Sequence, residues 1–179
     1  ALEAGDLDGD GDMDLIAGNW GRNTDYQKHL HHPIRLYHGD LDKDGRYDVL
    51  ESYYDQSLKD WVPARDLVAL GNAFGFVRQR YLRYADVAAL SMLELFDGIS
   101  SLEQWLEMQQ LESGIWWNES DHFQWQALPF AAQWAPIQSI AVMDWNDDGR
   151  PDLFLGQNYQ SAQPAFSRMD AGLGCLIEN

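Results

Sequence analysis

Three short stretches of this chain concentrate acidic side chains at alternating positions, a spacing suited to gathering oxygen ligands around a hard cation. They run from Asp6 to Asp14, from Asp40 to Asp48 and from Asp144 to Asp152. Positions 1, 3, 5 and 9 of each are Asp, apart from Asn146, and position 6 is Gly. Ca2+ takes about six to eight oxygens at about 2.3–2.6 Å in a flexible shell. A curling chain with alternate residues turned inward aims positions 1, 3 and 5 at one centre. Glycine at position 6 permits the sharp turn, position 7 can add a backbone carbonyl, and position 9 closes the shell. The pattern predicts a first site from Asp6, Asp8, Asp10 and Asp14 with the carbonyl of Asp12. A second uses Asp40, Asp42, Asp44 and Asp48 with the carbonyl of Arg46. A third uses Asp144, Asn146, Asp148 and Asp152 with the carbonyl of Arg150; its neutral Asn146 predicts weaker binding.

An EF-hand loop shares this opening but needs a bidentate Glu at position 12 and a helix on each side. The second loop has Glu51 there, a candidate additional ligand, whereas the first has Ala17 and the third Leu155. The flanks are short and apolar or alternating. Leu2–Gly5, Leu36–Gly39 and Ile140–Met143 precede the loops; Leu15–Ala17, Val49–Glu51 and Leu153–Leu155 follow them. Such runs predict strand–loop–strand units.

The loops start at residues 6, 40 and 144, so no single period covers them and the longer gap must hold an insertion. From Pro63 to about Leu111 the pattern becomes helical. Leu67, Leu70, Phe74, Val77 and Tyr81 recur at three- and four-residue steps, followed by Val87, Leu90, Leu93 and Phe96 up to Gly98. Pro63 suits a helix start. Ser101 with Gln104 suggests a capping box opening a helix through Leu102, Trp105 and Leu106. Two or three short helices with an apolar face packed on the main body are expected. Beyond them, Gly114–Asn118 and Phe123–Ala127, separated by the polar Glu119–His122, predict a β-hairpin.

Composition narrows the partners. The 179 residues carry a net charge of −17, which disfavours nucleic acid and anionic membranes. Thirteen of the 29 acids lie in the three loops, so bound cations explain the acidity better than a merely solvated surface. One cysteine, Cys175, forbids an internal disulfide. No apolar run is long enough to span a membrane. The chain opens inside a motif, which suggests a piece of a longer protein whose targeting segment would lie upstream. His29, His31, His32 and His38 lack cysteines or regular ligand spacing, so a polar loop is favoured over a Zn or Cu site. No nucleophile elbow or phosphate-binding glycine loop is present. The tryptophans at 116, 117 and 125, with Trp134 nearby, are core formers by default and could stack on sugar rings.

Asp-x-Asp-x-Asp-Gly-x-x-Asp followed by an apolar run and Gly-Asn, as in Leu15–Asn19, resembles the FG-GAP/VCBS repeat of integrin-α-like β-propellers. Pro33–Asp48, the helical stretch, Leu128–Pro136 and Asp144–Asn158 are similar to an exported bacterial VCBS-repeat group. The second copy departs from the pattern, with Ser52-Tyr53 where Gly-Asn stands in the first. The resemblance implies four-stranded blades, each with its calcium loop between the first two strands, in rings of ~4–8 blades. On this basis residues 1–179 form one fragment of an all-β, calcium-binding partial β-propeller. It has about three blades, two incomplete, and a short α-helical insertion at about 63–111. The implied role is a calcium-stabilised, non-enzymatic module of a secreted or cell-surface bacterial protein, extracellular or periplasmic, binding protein or glycan alongside its remaining blades. The alternatives are a non-catalytic part of a larger exported enzyme and a structural spacer.

Overall fold

A computed structural model describes residues 1–29, 31–99, 102–160 and 168–179. The first strands in chain order are β1 (Leu2–Gly5), β2 (Asp14–Ala17), β3 (Arg35–Gly39), β4 (Asp48–Asp55) and β5 (Asp60–Pro63). Four short helices follow: α1 (Leu67–Ala73), α2 (Gly75–Arg80), α3 (Tyr84–Val87) and α4 (Met92–Leu95). The remaining strands are β6 (Trp105–Glu107), β7 (Gly114–Asn118), β8 (Phe123–Ala127), β9 (Ile137–Met143), β10 (Asp152–Gln157) and β11 (Cys175–Ile177). The protein is mostly β, with its named strands in three antiparallel sheets. Among the described residues no helix is long and apolar enough to cross a membrane.

The chain divides into two compact units. Unit 1 comprises Ala1–Gln27 and Gln110–Asn179; unit 2 comprises Lys28–Gln109. Unit 2 is inserted in sequence between β2 and β7 of unit 1.

Unit 1 holds two sheets, ordered β1-β2-β7-β8 and β11-β10-β9. Alternation decides which face is buried. Ile16 and Ile115 are register partners, as are Leu153 with Val142 and Ile177, and Leu155 with Ile140 and Cys175. These residues share one core with Leu7, Leu128, Ala132 and Ile137. The predicted hairpin is β7–β8, with the Trp116 and Trp125 rings 5.0 Å apart as direct register partners. Gln133 ties loops to this core. Its Oε1 accepts from Ser113 N at 2.9 Å, and its Nε2 donates to Ser113 O and Leu128 O at 2.8 and 3.0 Å. Gly21 passes so close that a Cβ there would collide with the Gln133 carbonyl, and its φ of +78° lies in the left-handed region.

Unit 2 is the sheet β5-β4-β3-β6 with the four helices. Leu70, Phe74, Val77, Val87, Met92, Leu95 and Phe96 pack with Tyr37, Leu41 and Leu50, so the helical stripe buries against its own sheet. Phe74 breaks the stripe by adopting extended backbone between α1 and α2. Leu93 points outward, contrary to the second stripe. Pro63 ends β5; the first helix starts at Leu67, where the Asp66 carboxylate accepts from Ala69 N at 2.8 Å. Ser91 and Glu94 form a capping box for α4. The helix expected through Trp105 and Leu106 is instead strand β6, pairing with β3 at Tyr37, Leu36 and Arg35. Ser101, the proposed cap, lies outside the described residues. Among the described residues of the 63–111 stretch, helix thus falls within residues 67–95.

Candidate metal centres in three acidic loops

Each acidic loop joins two neighbouring antiparallel strands: β1 to β2, β3 to β4 and β9 to β10. Strand flanks on both sides exclude the EF-hand. Glu51, the one residue that favoured it, sits within β4 and pairs with Arg65 at 2.9 Å.

The three loops share one hydrogen-bond scaffold. The position 6 N–H of Gly11, Gly45 and Gly149 donates to Oδ2 of Asp6, Asp40 and Asp144 at 3.1, 3.0 and 2.9 Å. Position 5 N–H donates to the position 3 side chain: Asp10 to Asp8, Asp44 to Asp42, Asp148 to Asn146, at 3.2, 3.2 and 3.0 Å. Position 7 N–H donates to position 5: Asp12 to Asp10, Arg46 to Asp44, Arg150 to Asp148, at 2.8, 2.8 and 2.9 Å. Positive φ recurs at position 4 (Gly9, Lys43, Asp147) and at position 6 (Gly11, Gly45, Gly149). Lys43 and Asp147 hold this conformation despite their side chains, so the loop's bonding over-determines it.

Position 9 does something the spacing does not announce. Leu7 N, Leu41 N and Trp145 N donate to Oδ2 of Asp14, Asp48 and Asp152 at 3.0, 3.0 and 2.9 Å. In unit 1 the other oxygen reaches the next strand of the sheet or the residues just past it: Asp14 Oδ1 accepts from Asn118 N at the end of β7 at 2.9 Å, and Asp152 Oδ1 from Asn179 N, two residues beyond β11, at 3.0 Å. Asp14 is 2% exposed and Asp152 is fully buried. Both act first as clasps for backbone N–H groups. A carboxylate has about four lone-pair sites, so this bonding remains compatible with a cation.

The carboxylates nonetheless group differently in each loop. Oxygens of Asp6, Asp8 and Asp10 lie within 4.8 Å of one another, without Asp14; in the second loop the group is Asp40, Asp42 and Asp48, without Asp44. Asp44 has Arg46 Nε at 3.9 Å, an exposed and weak pairing. Asp12 accepts from the Ser120 hydroxyl at 3.1 Å. In the third loop Asn146 Nδ2 donates to Asp148 Oδ2 at 3.0 Å, so an amide stands where the other loops have a carboxylate. Hydrogen bonds from Arg150 N and Asn146 hold the Asp148 carboxyl below its usual range. Asp48 is pushed up, first by burial, against the Leu41 hydrogen bond, and then by Asp42, Asp44 and Asp40. The first two loops fit a hard divalent ion by donor type and convergence, and the third offers two carboxylates and an amide.

The histidines take another role. His29 lies 5.1 Å from Tyr53, His32 stacks on Tyr54 at 4.3 Å, and His38 Nδ1 lies 2.9 Å from the Tyr47 hydroxyl. Among the described residues they form no metal-ligating group of three.

Comparison with protein-family models, curated proteins and solved structures finds no match.

Proposed function

We propose that this chain is a calcium-stabilised segment of a β-propeller, serving as a binding module of an exported protein. The observation that carries the reading is the shared scaffold of the three loops, each between two adjacent strands, with oxygen donors crowded at two of them. Asp6, Asp8 and Asp10, and Asp40, Asp42 and Asp48, would hold Ca2+. Asp144, Asn146 and Asp148 would hold it more weakly. A bound divalent ion supplies charge neutralisation where like charges otherwise repel. Support for blades comes from sheets that are apolar on both faces. Leu2, Trp116 and Phe123 are exposed on one side of the first sheet, and Phe154, Leu176 and Met143 on one side of the second. Further blades would cover those faces.

Binding to the folded state alone raises stability, by an amount that grows with the logarithm of the free ion concentration above Kd. Melting the protein with Ca2+ and then with a chelator tests this directly. Calcium should raise the melting temperature by several degrees; an unchanged melt would remove the proposal's basis.

A further inference from the structure

The strands of unit 1 have two ends of different character. The acidic loops after β1 and β9 and the β7–β8 turn lie at one end of its strands. At the other end the chain leaves β2, enters β7, leaves β8, enters β9 and leaves β10. At that end lies an open-sided cavity of about 380 Å3 lined by Arg22, Asn23, Phe130, Gln133, Trp134 and Ala171. We propose that this cavity binds an uncharged saccharide, a deepening that rests on the binding-module reading.

Two aromatic rings set edge to face line the cavity, so that either can offer a face to a ligand. Phe130 and Trp134 are 6.1 Å apart at an interplanar angle of 84°, and are 65% and 41% exposed. Large aromatics left open to water are the residues most useful for gripping an amphipathic ligand. A pyranose ring presents an apolar C–H face with hydroxyls around its rim, so it can cover an aromatic ring while its rim stays hydrogen-bonded. The polar groups beside the rings suit that rim. Arg22 forms an ion pair with Glu112, which compensates its charge while leaving a planar array of donors. Asn23 Nδ2 donates to Trp134 O at 3.0 Å, which fixes the amide against the cavity wall. An anionic ligand would meet a compensated arginine on a chain of net charge −17. A purely apolar ligand would strip water from Arg22 and Asn23 without replacing it.

The walls are set before any ligand arrives. Arg22 N and Asn23 N donate to Gln133 O at 2.8 and 3.3 Å, and Gly21 N donates to Leu111 O at 2.7 Å. Gln157 Nε2 reaches Ala131 O and Ala132 O at 3.3 and 3.2 Å, behind the same turn. Rigid walls reduce the ordering cost of binding.

The test uses the full chain at constant calcium, with tryptophan fluorescence and calorimetry against an array of neutral oligosaccharides that includes cellotetraose and N-acetylchitotriose. Tetragalacturonate is the charged control. The proposal expects saturable binding of at least one neutral oligosaccharide, at least tenfold weaker in Trp134→Ala and unchanged in Trp116→Ala. Phe130→Ala serves as the second variant should Trp134→Ala fail to fold. Absence of neutral binding, binding of tetragalacturonate alone, or affinity unaffected by a folded Trp134→Ala or Phe130→Ala protein would overturn it. Loss of the saccharide with calcium-dependent melting intact would sink this site alone; a melt indifferent to calcium would sink the reading beneath it.

Discussion

Asp14 Oδ1 accepts the backbone N–H of Asn118 at 2.9 Å, across 104 residues of sequence. Its Oδ2 accepts Leu7 N at 3.0 Å, so one buried carboxylate joins the start of its loop to the third strand of its sheet. Asp152 repeats the arrangement with Trp145 N and Asn179 N. The two acidic loops of unit 1 are therefore held by two separate devices, a set of side chains at positions 1 to 5 and a buried clasp at position 9.

These devices separate experimentally. Asp14→Asn keeps one acceptor and turns an amide N–H toward a backbone donor. It should cost about 1–3 kcal/mol, in chelator as well as in calcium. Asp10→Ala removes an exposed carboxylate and should cost under about 1 kcal/mol in chelator. Its larger loss should emerge only when calcium is present. Thermal melts of both variants in both buffers provide the check.

The pKa of Asp48 gives a pH signature in metal-free protein. Burial, followed by its acidic neighbours, raises that pKa above 3.8, so the ionised form is unfavourable in the fold. Its stability contribution is then negative above the folded pKa and vanishes as pH falls below 3.8. Asp48→Asn, whose Oδ1 can still accept Leu41 N, should be more stable than the parent at pH 7 in chelator. The two melting temperatures should converge in acid. In calcium at neutral pH the order should reverse, because a ligand charge is lost.

Gln133 is only 1% exposed and makes three hydrogen bonds to Ser113 and Leu128. Gln133→Leu would strand those buried backbone groups, at about 2–4 kcal/mol and roughly 5–10 °C of melting temperature. Denaturant titration measures the loss, which should not depend on calcium.

Phe74 is 2% exposed and meets Phe96 edge-to-face at 5.1 Å. Phe74→Ala should cost about 3–5 kcal/mol by leaving a cavity between the helices and sheet of unit 2. Hydrogen exchange should show Leu50 and Val77 amides losing protection.

Much of this architecture is legible locally. The acid-Gly loops and their flanking strands stand out because alternation and turn chemistry act over a few residues. The hairpin from Gly114 to Ala127 is equally plain. Trp105 and Leu106 mislead because, with Leu102, they fit helical spacing. Their pairing with Tyr37 and Leu36 is long-range, and such pairing overrides weak local preference. Ser91 with Glu94 is a capping signature that the broader helical stripe obscures. The clasp at Asp14 and Asp152 requires knowing which strand lies third in each sheet. The one hint is that Asn118 and Asn179 each close a run beginning at Gly114 or Gly174. The aromatic partners of the histidines, and the cavity beside Trp134, arise from tertiary packing and leave no pattern along the chain.

Equilibrium dialysis against Ca2+ counts the ions held at the loops without relying on a stability readout. Two ions per chain should bind well and a third more weakly, with Asp10→Ala and Asp42→Ala each removing one. A chain that retains no calcium, or that retains its full complement in both variants, would contradict calcium binding at these loops.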